Sequence, residues 1–117
     1  MADVETKLKT VLTSGSVTPS YLLKKPETVS FPCVVYQLIS TNPFDGSLSS
    51  KAGVYEYRYQ FSTVGSDYGT VKALAVKLKN ALDHNTTDFD FSYLGGEYQS
   101  YDENGLYQII QDFFIIY

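Results

Sequence analysis

The sequence predicts an α+β domain. Its sheet is mostly antiparallel with four strands, or slightly more, and two helices pack on one face in the order α-β-β-α-β-β. Three observations carry this. Two stretches place apolar residues at helical spacing, and four others are rich in β-branched and aromatic residues. The strands fall into two meandering pairs, with none of the strand–helix–strand repeats that a parallel sheet needs. With 117 residues the chain fits one domain, 1–117, large enough to bury roughly two-thirds of its unfolded surface.

The first element is a helix over 2–14. Val4, Leu8, Val11 and Leu12 share one face of a 3.6-residue period, the acids Asp3 and Glu5 favour its N-terminal end, and Gly15 offers a C-terminal cap. Residues 17–31, with Pro19 and Pro26, read as irregular, pinned to the core by Tyr21, Leu22 and Leu23. A strand follows over 33–39, opened by Pro32 where a missing donor costs least. Residues 40–53 then read as a long loop rich in Ser, Gly, Asn and Pro, of a length that in compact domains is usually functional or mobile. Phe44 and Leu48, its large apolar residues, either tuck back onto the domain or meet a partner.

From Val54 to Val64 the alternation is clear: Tyr55, Tyr57, Tyr59 and Phe61 point one way, Glu56, Arg58, Gln60 and Ser62 the other. The tyrosine row serves either as core under a helix or as a face for a ligand or stacked bases. After Gly65, with Ser66 or Asp67 as cap, Val71, Leu74, Ala75, Leu78, Ala81 and Leu82 mark the second helix. Phe89, Phe91 and Tyr93 alternate, Gly95-Gly96 marks a bulge or a close approach, and the strand resumes to Tyr101. Asn104-Gly105 turns the chain into a final strand that runs to Tyr117 with apolar residues on both faces. At ~3.3 Å per residue this strand outreaches a helix of about 25 Å, so part of it is expected to meet another subunit.

The composition narrows the function. Nine basic residues, all at or before Lys79, meet six acids there, a balance of +3; the rest of the chain carries seven acids and no base, −7. This is either a solvated acidic edge or complementarity between copies of the chain. Lacking Lys and Arg, the acidic part is no match for duplex DNA phosphates. The lone Cys33 fits a reducing compartment, no run is long enough to span a membrane, and the acidic start is no signal peptide. The single His84 has no second His or Cys near it in sequence to build a zinc site, and no phosphate-binding glycine loop is present. The expectation is a non-enzymatic protein without cofactor, catalytic residues or metal.

Phe31-Pro32-Cys33-Val34-Val35-Tyr36 and the loop after it, the strand Tyr55-Glu56-Tyr57-Arg58-Tyr59-Gln60-Phe61-Ser62, Ser66-Asp67-Tyr68 leading a helix that ends Lys79-Asn80-Ala81-Leu82, and the closing Asp112-Phe113-Phe114-Ile115-Ile116-Tyr117 together carry a resemblance. In these features the chain resembles the tail terminator, or tail-completion, proteins of long-tailed bacteriophages. The resemblance implies a homo-oligomer, a hexameric ring, at the head-proximal end of the virion tail, assembled in the host cytoplasm. Such a ring caps the tail tube protein, meets the head connector, and lets DNA through without specific binding or any membrane. The expected interface residues are Phe44, Asp45, Leu48 and Lys51 of the loop, with Ile115 and Tyr117 of the last strand. The alternative is a small ligand- or peptide-binding module using the Tyr-rich strand 55–61.

Overall fold

A computed structural model of the chain describes residues 3–17, 20–22, 32–43, 54–101 and 105–117. Two helices, α1 (Val4–Ser14) and α2 (Tyr68–Leu82), accompany five strands: β1 (Ser20–Leu22), β2 (Cys33–Pro43), β3 (Tyr55–Gly65), β4 (Phe91–Tyr101) and β5 (Tyr107–Ile116). The strand order across the sheet is β1-β2-β3-β5-β4. β1 runs parallel to β2, and every other pair is antiparallel.

This corrects the expected fold class. The sheet is five-stranded and mixed, and the element order is α-β-β-β-α-β-β. The added strand, β1, lies in the segment read as irregular. Three residues are too few to display an alternation, and Pro19 just before them signals a break. Being parallel to β2, β1 also departs from the meander that short connections favour. A second correction concerns the 40–53 loop. Its first four residues continue β2, paired with β3 as far as Pro43 opposite Tyr55, and a bulge between Leu38 and Ser40 takes up the irregularity. Polar Ser40, Thr41 and Asn42 hide a strand there because exposed ladder positions need no apolar side chain. Residues 44–53 lie outside the described residues.

Local chemistry sets both helix starts. The Asp3 carboxylate accepts the Thr6 N–H at 2.8 Å and the Asp67 carboxylate accepts that of Thr70 at 3.1 Å, each satisfying an otherwise orphaned donor. Those hydrogen bonds to Thr6 hold the Asp3 carboxyl below its usual range. Both helices bury their apolar stripes on one face of the sheet. Val4, Leu8, Val11 and Leu12 of α1 and Leu74, Leu78 and Leu82 of α2 meet Val34, Tyr36, Tyr59, Phe61, Phe113 and Ile115. Gly15, which ends α1, lets the helices approach closely, since a Cβ there would lie 2.9 Å from that of Ala81. A smaller cluster of Val71, Ala75 and Ile109 extends the packing beneath the start of α2.

The center of this core is aromatic. Phe61 meets Phe113 edge-on at 5.6 Å and stacks on Tyr36 at 5.2 Å. Phe113→Ala is expected to lower unfolding free energy by about 3–5 kcal/mol in urea titrations, because it opens a cavity in a fully buried layer. Val76→Ala, on the exposed side of α2, is expected to stay within ~0.5 kcal/mol in the same measurement.

Candidate assembly surface

The molecule measures 49 × 25 × 21 Å, whereas the 15 residues of α2 rise only about 22 Å. The sheet therefore outruns its cover, and one end of it, the tip, stands bare. There β3 carries Tyr55, 39% exposed, opposite Pro43, while Leu38, 42% exposed, and Ile39 in the bulge lie further in along β2, at the level of Tyr59. The tip is rigidly made. Tyr55 and Tyr117 exchange both backbone hydrogen bonds, at 3.1 and 3.0 Å, and Tyr117 also packs edge-on against Phe89. Exposed apolar groups on a well-paired strand end form a surface suited to a partner rather than to water.

The face of the sheet away from the helices is a second surface. Phe91 and Tyr93 of β4 stack at 5.6 Å, and Tyr93 stacks on Phe114 of β5 at 5.3 Å. Gly95 makes this possible, because a Cβ there would come within 2.4 Å of the Phe114 ring. Next to the stack lies a polar group. The Arg58 guanidinium donates to Asp112 at 3.2 Å, and the Gln60 amide donates to both Asp112 and the Tyr98 hydroxyl. Arg58 Nε is shielded from water with no hydrogen-bond partner among the described residues. The ring stack and this network leave Ile110, Phe114 and Ile116 half-buried within one subunit.

A third feature is a cleft of about 370 Å³ at the end of the sheet away from the tip, lined by Tyr68, Gln99, Ser100, Tyr101, Tyr107 and Gln108. Tyr101 lies 4.7 Å from Tyr107, and the Gln99 amide donates to the Tyr68 hydroxyl at 3.0 Å. The tyrosines were visible in the sequence, but their meeting depends on the β4–β5 register and the start of α2, which residue type does not report.

Of the residues expected at an interface, Phe44, Asp45, Leu48 and Lys51 lie outside the described residues. Ile115 is wholly buried in this subunit's own core, while Tyr117 is half-buried at the tip. The Tyr-rich strand divides along its length. Tyr59, 2% exposed, packs in the core beneath α1, Tyr57 is half-buried, and Tyr55 reaches solvent. An open ligand face over 55–61 is therefore not present. His84, just beyond the end of α2, lies 3.1 Å from the Asp83 carboxylate. Among the described residues, no group of three or more His, Cys, Asp or Glu is placed to hold a metal ion, and no helix is long and apolar enough to cross a membrane.

By sequence, the chain matches no protein-family model and no curated protein. By structure, it is similar to a chain in a solved structure described as "Virion of native gene transfer agent (GTA) particle". The fold is one that a virion uses. The TM-score is 0.64 at 17% identity, and the match covers 97% of this chain and 90% of the virion chain. At that identity the likeness is one of fold.

Burial raises the Tyr59 hydroxyl pKa from 10.0 to about 12, with the Glu5 carboxylate adding to the shift. The folded state thus holds this proton more tightly than the unfolded chain does. The stability it contributes is complete below about pH 10 and is lost as pH rises toward about 12. Tyr59→Phe, which has no proton to release, is expected to show a shallower fall in urea midpoint than the wild type across that window.

Proposed function

We propose that this chain is a non-enzymatic structural subunit of a phage-like virion. In this reading it forms a hexameric ring that caps the head-proximal end of the tail tube, stops tube polymerisation and joins tail to head. Its partners are further copies of itself, the tube protein and the head connector. DNA passes through without specific binding, and neither cofactor nor membrane takes part. The observation that carries the reading is the fold likeness to a virion-particle chain over 97% of the length. The residue pattern of the tail terminators supports it, as do the bare tip and the half-buried open face, surfaces that suit assembly better than catalysis. A ring requires a heterologous contact, in which two different patches of one subunit meet across each junction.

Light scattering or electron microscopy of the purified protein, alone and with tail-tube protein, is expected to give a ring of hexamer mass. A strict monomer at high concentration that also fails to bind the tube overturns the reading. Replacing Phe44 and Leu48 by Ser is expected to reduce tail–head joining at least tenfold in particle counts, as loss of two apolar anchors does at an interface. Unchanged joining removes the 44–53 segment from the contact.

A further inference from the structure

We infer that copies of this chain join edge to edge, β4 of one subunit pairing antiparallel with β1 of the next, and that Glu97 meets Lys9 across the junction. The inference rests on the ring reading above and names the surface that would build it.

β1 and β4 are the two outer strands of the sheet, each paired on one side only among the described residues. Unpaired strand edges present a row of backbone donors and acceptors that another strand can complete. Three features match these two edges to each other. The first is direction. β1 runs with β2, and three antiparallel steps then lead to β4, so β4 runs opposite to β1. A second subunit that continues the sheet in the same orientation therefore sets β4 against β1 as an antiparallel pair, the arrangement with the more stable ladder.

The second feature is height. Following the pairing across the sheet, Tyr21 is level with Val35, Ser62, Ile110 and Tyr98, and Leu22 is level with Tyr36, Phe61, Gln111 and Glu97. Ser20 is level in the same way with Gln99. Flush sheets thus place Tyr21 opposite Tyr98 on the open face, with Glu97 opposite Leu22 and Gln99 opposite Ser20 on the helix face. Both helix layers then stay on one side of the continued sheet.

The third feature is charge. Lys9 reaches from α1 over β1 and donates to the Ser20 carbonyl at 2.6 Å and to its hydroxyl at 3.0 Å. That uses two of the three ammonium donors and brings a cation onto the β1 edge. Lys24 and Lys25 follow β1 in sequence. On β4 the exposed Glu97 lies on the helix face at the matching height, one carboxylate oxygen accepting from the Gln111 amide at 2.9 Å; Asp90 is exposed just before the strand, and no Lys or Arg occurs beyond Lys79. A groove of about 450 Å³ between α1 and β1, walled by Glu5, Lys9, Ser20, Leu22 and Tyr36, offers room for the incoming Glu97 and Gln99 side chains. The two edges differ, so the contact is head-to-tail, and it closes into a ring when the rotation per subunit divides a full turn.

Tyr21→Cys and Tyr98→Cys test the pairing. Opposed positions in an antiparallel ladder have Cβ atoms roughly 5 Å apart, close enough to oxidize to a disulfide, while Cys33 is buried and does not compete. A mixture of the two single variants is expected to give a covalent dimer and nothing larger; the double variant is expected to give a ladder of species up to the ring. Separately, Glu97→Lys and Lys9→Glu are each expected to weaken self-association by about tenfold, and both changes in one chain to restore it. A Tyr98→Cys protein that dimerizes alone as readily as in the mixture overturns the inference, because the edge then pairs with itself. A ring-sized wild-type particle with neither the cross-link nor the charge rescue overturns it while leaving the ring reading intact. A wild-type chain that stays monomeric at its highest soluble concentration, gives no cross-link and also fails to bind tail-tube protein overturns both.

Discussion

Phe61 and Phe113 meet edge-on between the two central strands, and the architecture depends on that contact being covered. Each ring lies on the face that α1 and α2 close, with Tyr36 stacked behind Phe61 and the leucines of both helices above. The cover is short: the 11 residues of α1 make about three turns and the 15 of α2 about four. The strands of β2, β3 and β4, at 11 residues each and at the greater rise per residue of extended chain, necessarily run past it. The bare tip is thus a consequence of geometry: two short helices center on the aromatic core and leave the ends of the sheet uncovered.

The other face follows a different rule. It has no helical layer, yet it is far from a plain solvent face. Aromatic rings stack along β4 and β5, and charged and amide groups are knitted together on β3 and β5. Such a surface is stable in one subunit because the rings cover one another and the polar groups are mutually bonded. It also remains open, and the inferred growth of the sheet at its edges would leave it so. Both edges have what growth needs. β1 is short and carries a cation from α1, while β4 is long and carries the carboxylate of Glu97.

Much of this was legible in the sequence, for identifiable reasons. The stripes Val4-Leu8-Val11-Leu12 and Val71-Leu74-Ala75-Leu78-Leu82 mark helix faces whose burial the structure reproduces, because helical spacing is read over many residues. The alternation from Tyr55 to Phe61 likewise reports a strand, with its aromatic face inward from Tyr59 onward. The failures share a cause. β1 is too short for a period to show, and residues 40–43 of β2 are polar on an exposed stretch, so both strands are held by backbone pairing that side-chain type does not encode. The burial of Ile115 within one subunit shows the same limit. An apolar residue near a chain end looks like surplus until the register sets it opposite Tyr57 and turns it inward.

Gly95 has one more consequence. The Phe114 ring fills the notch left by its absent side chain, at a distance that no Cβ would tolerate. A slip of β4 against β5 by one residue in one direction would bring Leu94 under that ring and be rejected by collision. The same slip would also turn every side chain of β4 to the wrong face. The notch therefore acts as a key against a slip in that direction; the opposite slip, which would bring Gly96 under the ring, is refused by the pleat alone. An edge strand that is to accept a neighbor must present its residues at a defined height, and this glycine, with the pleat, helps to fix that height from within the subunit.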